Sequence, residues 1–231
     1  MEKKPVYLLA GGRGGGSMDA VIRQIFKDID RPSPVIAYSG VANGESREFF
    51  GWMTTMLKNA HDCSLVHAKI GGRADLNKAK DALMTADAIF VGGGDVEAGM
   101  QILEEKNMSG IFYDLFARGK LCFGVSAGSI MLAREWVRWQ DPDDDNTAEL
   151  FPCLGVAPVL CDTHSEGDNW EELQAALALG KNGGVGYGIR SNACLVVHFD
   201  GMVEALGGVV DVYSSRNGKV HKQNDLIPQG R

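Results

Sequence analysis

Five short apolar runs, most of them closed by glycine or a small polar residue, set the first constraint on how this chain can fold. They cover residues 6–10, 35–38, 64–68, 88–91 and 121–125, and the first, second and fourth end on Gly11-Gly12, Ser39-Gly40 and Gly92-Gly93-Gly94. Each is four or five residues long and nearly all apolar, the signature of strands buried on both faces of a parallel sheet. Amphipathic stretches at 18–26, 47–58, 76–83, 96–104, 111–117 and 129–136 fall between and after them. That alternation predicts an α/β fold with a doubly wound, mostly parallel sheet and ligands bound at the carboxyl ends of the strands. Residues 169–179 read as a further helix. The short runs 194–199, 202–206 and 209–213, separated at Asp200-Gly201 and Gly207-Gly208, read as an antiparallel meander closing one sheet edge. No linker interrupts the pattern, so residues 1–231 are expected to form one domain, with a polar, frayed tail from about residue 216.

Composition narrows the functional classes. The 231 residues carry a net charge of -7 with no basic block, which argues against nucleic acid or an anionic membrane surface as partner. No signal-peptide core and no apolar run of spanning length is evident, and the expected location is the cytoplasm. The five cysteines are odd in number and include no C-x-x-C pair, so neither a disulfide framework nor a zinc site is expected. No histidine, carboxylate or cysteine cluster has ligand spacing, and neither a metal nor an organic cofactor is expected.

Two glycine-rich loops invite a phosphate-binding reading. The segment Gly11-Gly12-Arg13-Gly14-Gly15-Gly16-Ser17 lacks the G-x-x-x-x-G-K-[ST] pattern, and no acidic residue closes a second strand about 20 residues on. It reads as a loop at the carboxyl edge. Gly92-Gly93-Gly94-Asp95 lies at a strand end, where free amides can face a ligand and Asp95 can cap the next helix.

The strongest motif is Gly124-Val125-Ser126-Ala127-Gly128, flanked by an apolar strand and a helical segment. A sharp strand-to-helix turn of this kind strains the central residue and lifts its side chain above the sheet. The residues two before and two after must be small, because strand and helix nearly collide there. Ser126 is the expected nucleophile, and the amide of Ala127 can donate to an oxyanion. Cys122 lies inside the strand, away from the bend. Among His61, His67, His164, His198 and His221, only His164 ends an apolar run at the start of a polar loop, where a base for Ser126 is expected. The carboxylates Asp141, Asp143, Asp144, Asp145, Asp162, Glu166 and Asp168 all remain open as the group that orients it.

Gly92-Gly93-Gly94-Asp95, Gly124-Val125-Ser126-Ala127-Gly128-Ser129 and Asp162-Thr163-His164, in this order and spacing, resemble the peptidase E family of aspartyl dipeptidases, which includes cyanophycinase. The resemblance runs over nearly the whole chain. It implies a class I glutamine-amidotransferase-like (flavodoxin-like) sandwich with a serine in place of the usual cysteine. It further implies a catalytic triad of Ser126, His164 and, fifteen residues after the serine, Asp141. The implied oxyanion hole uses amides of Gly93, Gly94 and Ala127, and the implied substrate is a small peptide, such as an N-terminal Asp-X dipeptide. The family usually carries Phe and then arginines after the histidine, whereas this chain has Ser165-Glu166-Gly167-Asp168 followed by Glu171 and Glu172. The expected preference therefore turns away from an acidic side chain unless Arg13, Arg73 or Arg190 reaches the pocket.

Two other classes compete. An esterase of α/β-hydrolase type would draw its histidine from further downstream, at His198 or His221. A non-catalytic amidotransferase-like binding domain would keep the elbow only as scaffold. The aromatic stretch Trp136-Val137-Arg138-Trp139 serves either a homodimer contact or a pocket wall.

Overall fold

The computed structural model describes residues 3–12, 16–141, 143–180 and 183–228. The strands are β1 (Val6–Leu9), β2 (Val35–Ser39), β3 (Ser64–His67), β4 (Ala88–Val91), β5 (Leu121–Val125), β6 (Glu135–Trp139), β7 (Ala148–Pro152), β8 (Leu160–Thr163), β9 (Gly184–Ile189), β10 (Cys194–Val197), β11 (Val203–Leu206), β12 (Val210–Arg216) and β13 (Lys219–Lys222). The helices are α1 (Gly16–Ile29), α2 (Arg47–Ala60), α3 (Leu76–Thr85), α4 (Val96–Glu105), α5 (Ser109–Ala117), α6 (Ala127–Leu132) and α7 (Glu171–Leu179).

A seven-stranded sheet in the order β11-β10-β1-β5-β4-β2-β3 forms the centre. Strands β1 to β5 run parallel, and β10 and β11 add antiparallel at one edge. Alternate residues of each parallel strand feed opposite cores, as a two-residue period requires. Val6, Leu8, Ile89 and Val91 pack with α3 to α6, while Tyr7, Leu9, Ala88 and Phe90 pack with α1 and α2. Both faces are covered, which is why the strand sequences are almost wholly apolar. The doubly wound α/β architecture expected from the sequence is the one observed.

Three expectations need correction. The third run of the meander does not follow β10 and β11 into the central sheet. As β12 it joins a second sheet of order β13-β12-β9-β8, in which β8 and β9 are parallel and the rest antiparallel. The tail does not fray at residue 216: β13 pairs with β12, and Leu226 bridges Val210 in both directions. The helix after the elbow stops at Leu132 rather than reaching residue 136. The carbonyls of Met131, Leu132 and Ala133 are taken by the amides of Leu154, Ala157 and Gly155, so the chain leaves the helix and forms the β6–β7 hairpin.

Candidate active site

Strand β5 ends at Val125, and Ser126 turns the chain into α6 with φ 53 and ψ -126, a strained conformation for a residue with a Cβ. The turn is pinned from both sides. Ser126 donates its amide to the Leu9 carbonyl at 2.9 Å, and its own carbonyl accepts the amides of Ser129 at 2.8 Å and Ile130 at 3.3 Å. The buried Ser129 hydroxyl donates to the same Leu9 carbonyl at 2.8 Å. A Cβ on Gly124 would stand 2.5 Å from the Gly128 carbonyl oxygen, and one on Gly128 would overlap Val91 of the next strand. Strand and helix therefore approach as closely as the motif demands.

His164 follows β8, the edge strand of the second sheet, and has φ 48. Its amide donates to the Ile189 carbonyl at 2.9 Å, tying the turn to the end of β9. The imidazole Nε2 lies 2.7 Å from Ser126 Oγ. The two side chains read from the sequence as nucleophile and base are thus brought within hydrogen-bond reach across two sheets. Cys122 is fully buried in β5, and that burial pushes its thiol up to about 12.

Asp141 is not brought to His164 by any hydrogen bond among the described residues. It is exposed in the β6–β7 connection, where its amide meets the Thr147 hydroxyl at 3.0 Å and its carboxylate accepts the Asp143 amide at 3.1 Å. Its bonds close its own loop. Glu166, two residues beyond His164, accepts the Ser191 amide at 3.2 Å. Despite partial burial, its carboxyl is held below the usual range by backbone and Ser191 hydrogen bonds and by the field of His164. Of the other histidines, His198 pairs with Glu204 at 3.1 Å at the edge of the central sheet, and His221 lies in β13.

Gly93 packs against Ser126: a Cβ on it would stand 3.1 Å from Ser126 Cβ. Among the described residues, no hydrogen bond occupies the amides of Gly93, Gly94 or Ala127. The Gly92–Asp95 turn is clamped by the segment before α2. Asp95 donates its amide to the Ala42 carbonyl at 2.7 Å, and Asn43 Nδ2 donates to the Gly93 carbonyl at 2.8 Å. Because a trans peptide points its C=O and the following N–H in opposite directions, anchoring Gly93 O on Asn43 turns the Gly94 N–H the other way. Asn43 is itself held, donating to Tyr38 Oη at 3.0 Å and accepting the Ser46 amide at 3.1 Å. Asp95 also caps α4, accepting the Ala98 amide at 2.9 Å.

Two cavities, each of about 370 Å³, open on the Ser126–His164 pair. The first is apolar, walled by Met18, Ile22, Phe49, Met53 and Met56 beside Gly11 and Gly12. The second is lined by Gly94, Asp95, Ala127, Trp136, Asp162 and Glu172 among others. Burial pushes the Asp162 carboxyl up to about 7, helped by the neighbouring charge of Glu172. Glu172 is also raised by burial, although it accepts the Trp136 Nε1–H at 2.6 Å. Trp136 is therefore a pocket wall, one of the two roles left open for its stretch.

Asn43 and Tyr38 escaped the sequence reading, since nothing marks Val41-Ala42-Asn43-Gly44 as more than a turn. Asp162 was visible only as one carboxylate among seven. Arg13 lies outside the described residues. Arg73 is exposed, and Arg190 is engaged by Asp211 at 2.6 and 2.8 Å and by Asp225 at 3.4 Å.

The family model described as Peptidase family S51 matches residues 7–204. No curated protein matches the chain. Among solved structures, the chain is similar to a peptidase from an acI-B1 Actinobacterium, with 14% identity and a TM-score of 0.72 over 97% of this chain and 96% of that one. It is also similar to a peptidase E candidate from Listeria monocytogenes EGD-e, with 17% identity and a TM-score of 0.65 over 87% of this chain and 97% of that one. At these identities the two likenesses speak for the fold.

Proposed function

This chain belongs to peptidase family S51, a family of serine peptidases, and on that premise we propose that it hydrolyses short peptides through a covalent acyl-enzyme on Ser126. The observation that carries the reading is the 2.7 Å contact between Ser126 Oγ and His164 Nε2 at the end of a strained strand-to-helix turn. His164 Nε2 takes the Oγ proton as Oγ attacks the scissile carbonyl. The oxyanion is received by the open amides of Gly93, Gly94 and Ala127. The imidazolium then gives its proton to the departing amine. A water, deprotonated by the same Nε2, cleaves the acyl ester and restores the serine.

For Nε2 to accept, the neutral ring must carry its proton on Nδ1, and a carboxylate nearby stabilises that tautomer and the imidazolium that follows. Asp141 has the family spacing, but its hydrogen bonds close its own loop. Glu166 is two residues from the ring and feels its charge. We assign the supporting role to Glu166.

Hydrolysis of a dipeptide panel tests this directly. Ser126→Ala should lower kcat by at least ~10³ while the thermal melt stays cooperative. Glu166→Gln should lower kcat by roughly 10- to 100-fold and displace the acid limb of the rate profile, while Asp141→Asn stays within about threefold. Parent-like turnover by Ser126→Ala would end the reading. A large loss in Asp141→Asn with Glu166→Gln unaffected would return the orienting role to Asp141.

The esterase alternative loses its support, since the bond of His198 is to Glu204 and that of Ser126 is to His164. The apolar cavity and its acidic counterpart, both reached from Ser126, also give the site two places for substrate side chains. A non-catalytic binding domain would use the same cavities, and turnover of the dipeptide panel separates the two readings.

A further inference from the structure

The second cavity contains a group that the hydrolytic mechanism does not use. Asp162 is 3% exposed, yet its carboxylate is only half satisfied. Oδ1 accepts the Thr163 amide at 2.6 Å, whereas Oδ2 makes no well-formed hydrogen bond among the described residues; the neutral Ser165 hydroxyl lies close enough to favour the carboxylate slightly but is directed at the Thr163 carbonyl, 3.3 Å away. A buried carboxylate oxygen without a partner is costly, and such groups persist where something else supplies the partner. Asp162 lines the cavity, and so do Asp95 and Glu172. Glu172 Oε2 is tied to Trp136 Nε1, and Asp95 Oδ1 to the start of α4.

No lysine or arginine lines this cavity among the described residues. The arginine of the adjoining cleft, Arg138, is committed to Glu97 and Glu149, at 2.6 Å each. Arg190 is committed to Asp211 and Asp225. Apart from His164, the walls therefore carry acidic groups that no lysine or arginine among the described residues offsets.

The position of the cavity says which part of a substrate enters it. Gly94 and Ala127, whose amides would hold the carbonyl oxygen, line this cavity and not the apolar one. The residue attached to that carbonyl is the acyl residue. We propose that the cavity walled by Asp162, Glu172, Asp95 and Trp136 selects a lysyl or arginyl side chain on the acyl residue of the substrate, with Asp162 Oδ2 as its buried counter-charge. The inference rests on the peptidase reading above. It sets this chain apart from a peptidase that demands aspartate, because a substrate carboxylate would meet three protein carboxylates there.

Binding to the inert Ser126→Ala protein tests the selection without requiring turnover. Calorimetric titration at pH 8, where the Asp162 carboxylate is ionised, compares Lys-Leu, norleucyl-leucine and Asp-Leu. All three share an α-amino group and a leucine and differ in the acyl side chain. Lys-Leu should bind at least about tenfold tighter than norleucyl-leucine, and Asp-Leu weakest. Leu-Lys, with the cation on the leaving residue, should bind like the neutral peptide. Adding Asp162→Asn should bring Lys-Leu to within about threefold of norleucyl-leucine, with a thermal melt to verify folding, and Glu172→Gln should move it part of the way. Equal or undetectable binding of Lys-Leu and norleucyl-leucine, or a preference for Asp-Leu or Leu-Lys, overturns the inference. Turnover by the parent protein decides the underlying reading separately. A lysyl preference without hydrolysis of any peptide keeps the cavity assignment and removes the peptidase. Hydrolysis confined to Asp-Leu does the reverse.

Discussion

Ser126 and Asp162 each hold an unfavourable state that the fold around them maintains. For Ser126 it is the positive φ of the elbow; for Asp162 it is a carboxyl group buried beside Glu172. The second has a measurable consequence. The Asp162 carboxyl in the folded protein titrates near 7, above its ordinary value of 3.8, so the native state binds a proton that the unfolded chain has already released. Its contribution is most favourable below about pH 4, declines as pH rises through the 4–7 window, and stays at its least favourable above that. Asp162→Asn removes the penalty, and its melting temperature should exceed the parent's by a margin that widens from pH 4.5 to pH 8. A margin independent of pH would show that Asp162 is not held protonated by its surroundings. Legibility at this scale was uneven. The pairing of Ser126 with His164 could be anticipated because a strand-end motif and a strand-end histidine are local patterns. The acid could not, because seven carboxylates lie in the two segments 141–145 and 162–168, and nothing local in the sequence separates them.

At the scale of elements, the site depends on segments that do no chemistry. The Val41–Asn43 turn (Val41-Ala42-Asn43) supports the Gly92–Asp95 turn through Ala42 O and Asn43 Nδ2, and a Cβ at Gly94 would overlap Ala42, so the two segments fit only with glycine there. On the proposed mechanism Asn43 is a positioning residue, acting through the Gly93–Gly94 peptide. Asn43→Ala should free that peptide to rotate and lower kcat by about tenfold or more with KM little changed, since the amide engages the oxyanion and not the ground-state substrate. A rise in KM with kcat intact would place Asn43 in substrate binding instead. The same scale explains what the sequence hid. Strands β1, β2, β4 and β5 are legible because burial on both faces makes them apolar throughout. β12 was visible as a strand but not by partner, because a period of two says which face is buried and nothing about which sheet. β7 and β13 are half-buried or exposed over most of their length and left almost no hydrophobic signal.

Over the whole molecule, the central sheet delivers Ser126 and the second sheet delivers His164. The dyad is therefore a contact between two separately hydrogen-bonded units, made at the ends of β5 and β8. No helix among the described residues is long and apolar enough to cross a membrane. The parallel sheet could be anticipated from the alternation of strands and helices. The way the last third splits between two sheets could not, since pairing over long sequence separations leaves no local trace. The central claim is that His164 activates Ser126 across this junction. Reaction with an alkyl fluorophosphonate at pH 8, followed by intact mass and peptide mapping, measures it. The account predicts a single adduct on Ser126 in the parent protein, no adduct in Ser126→Ala, and labelling slowed by at least about 100-fold in His164→Ala. An adduct on another residue, or unchanged labelling of Ser126 without His164, would contradict it.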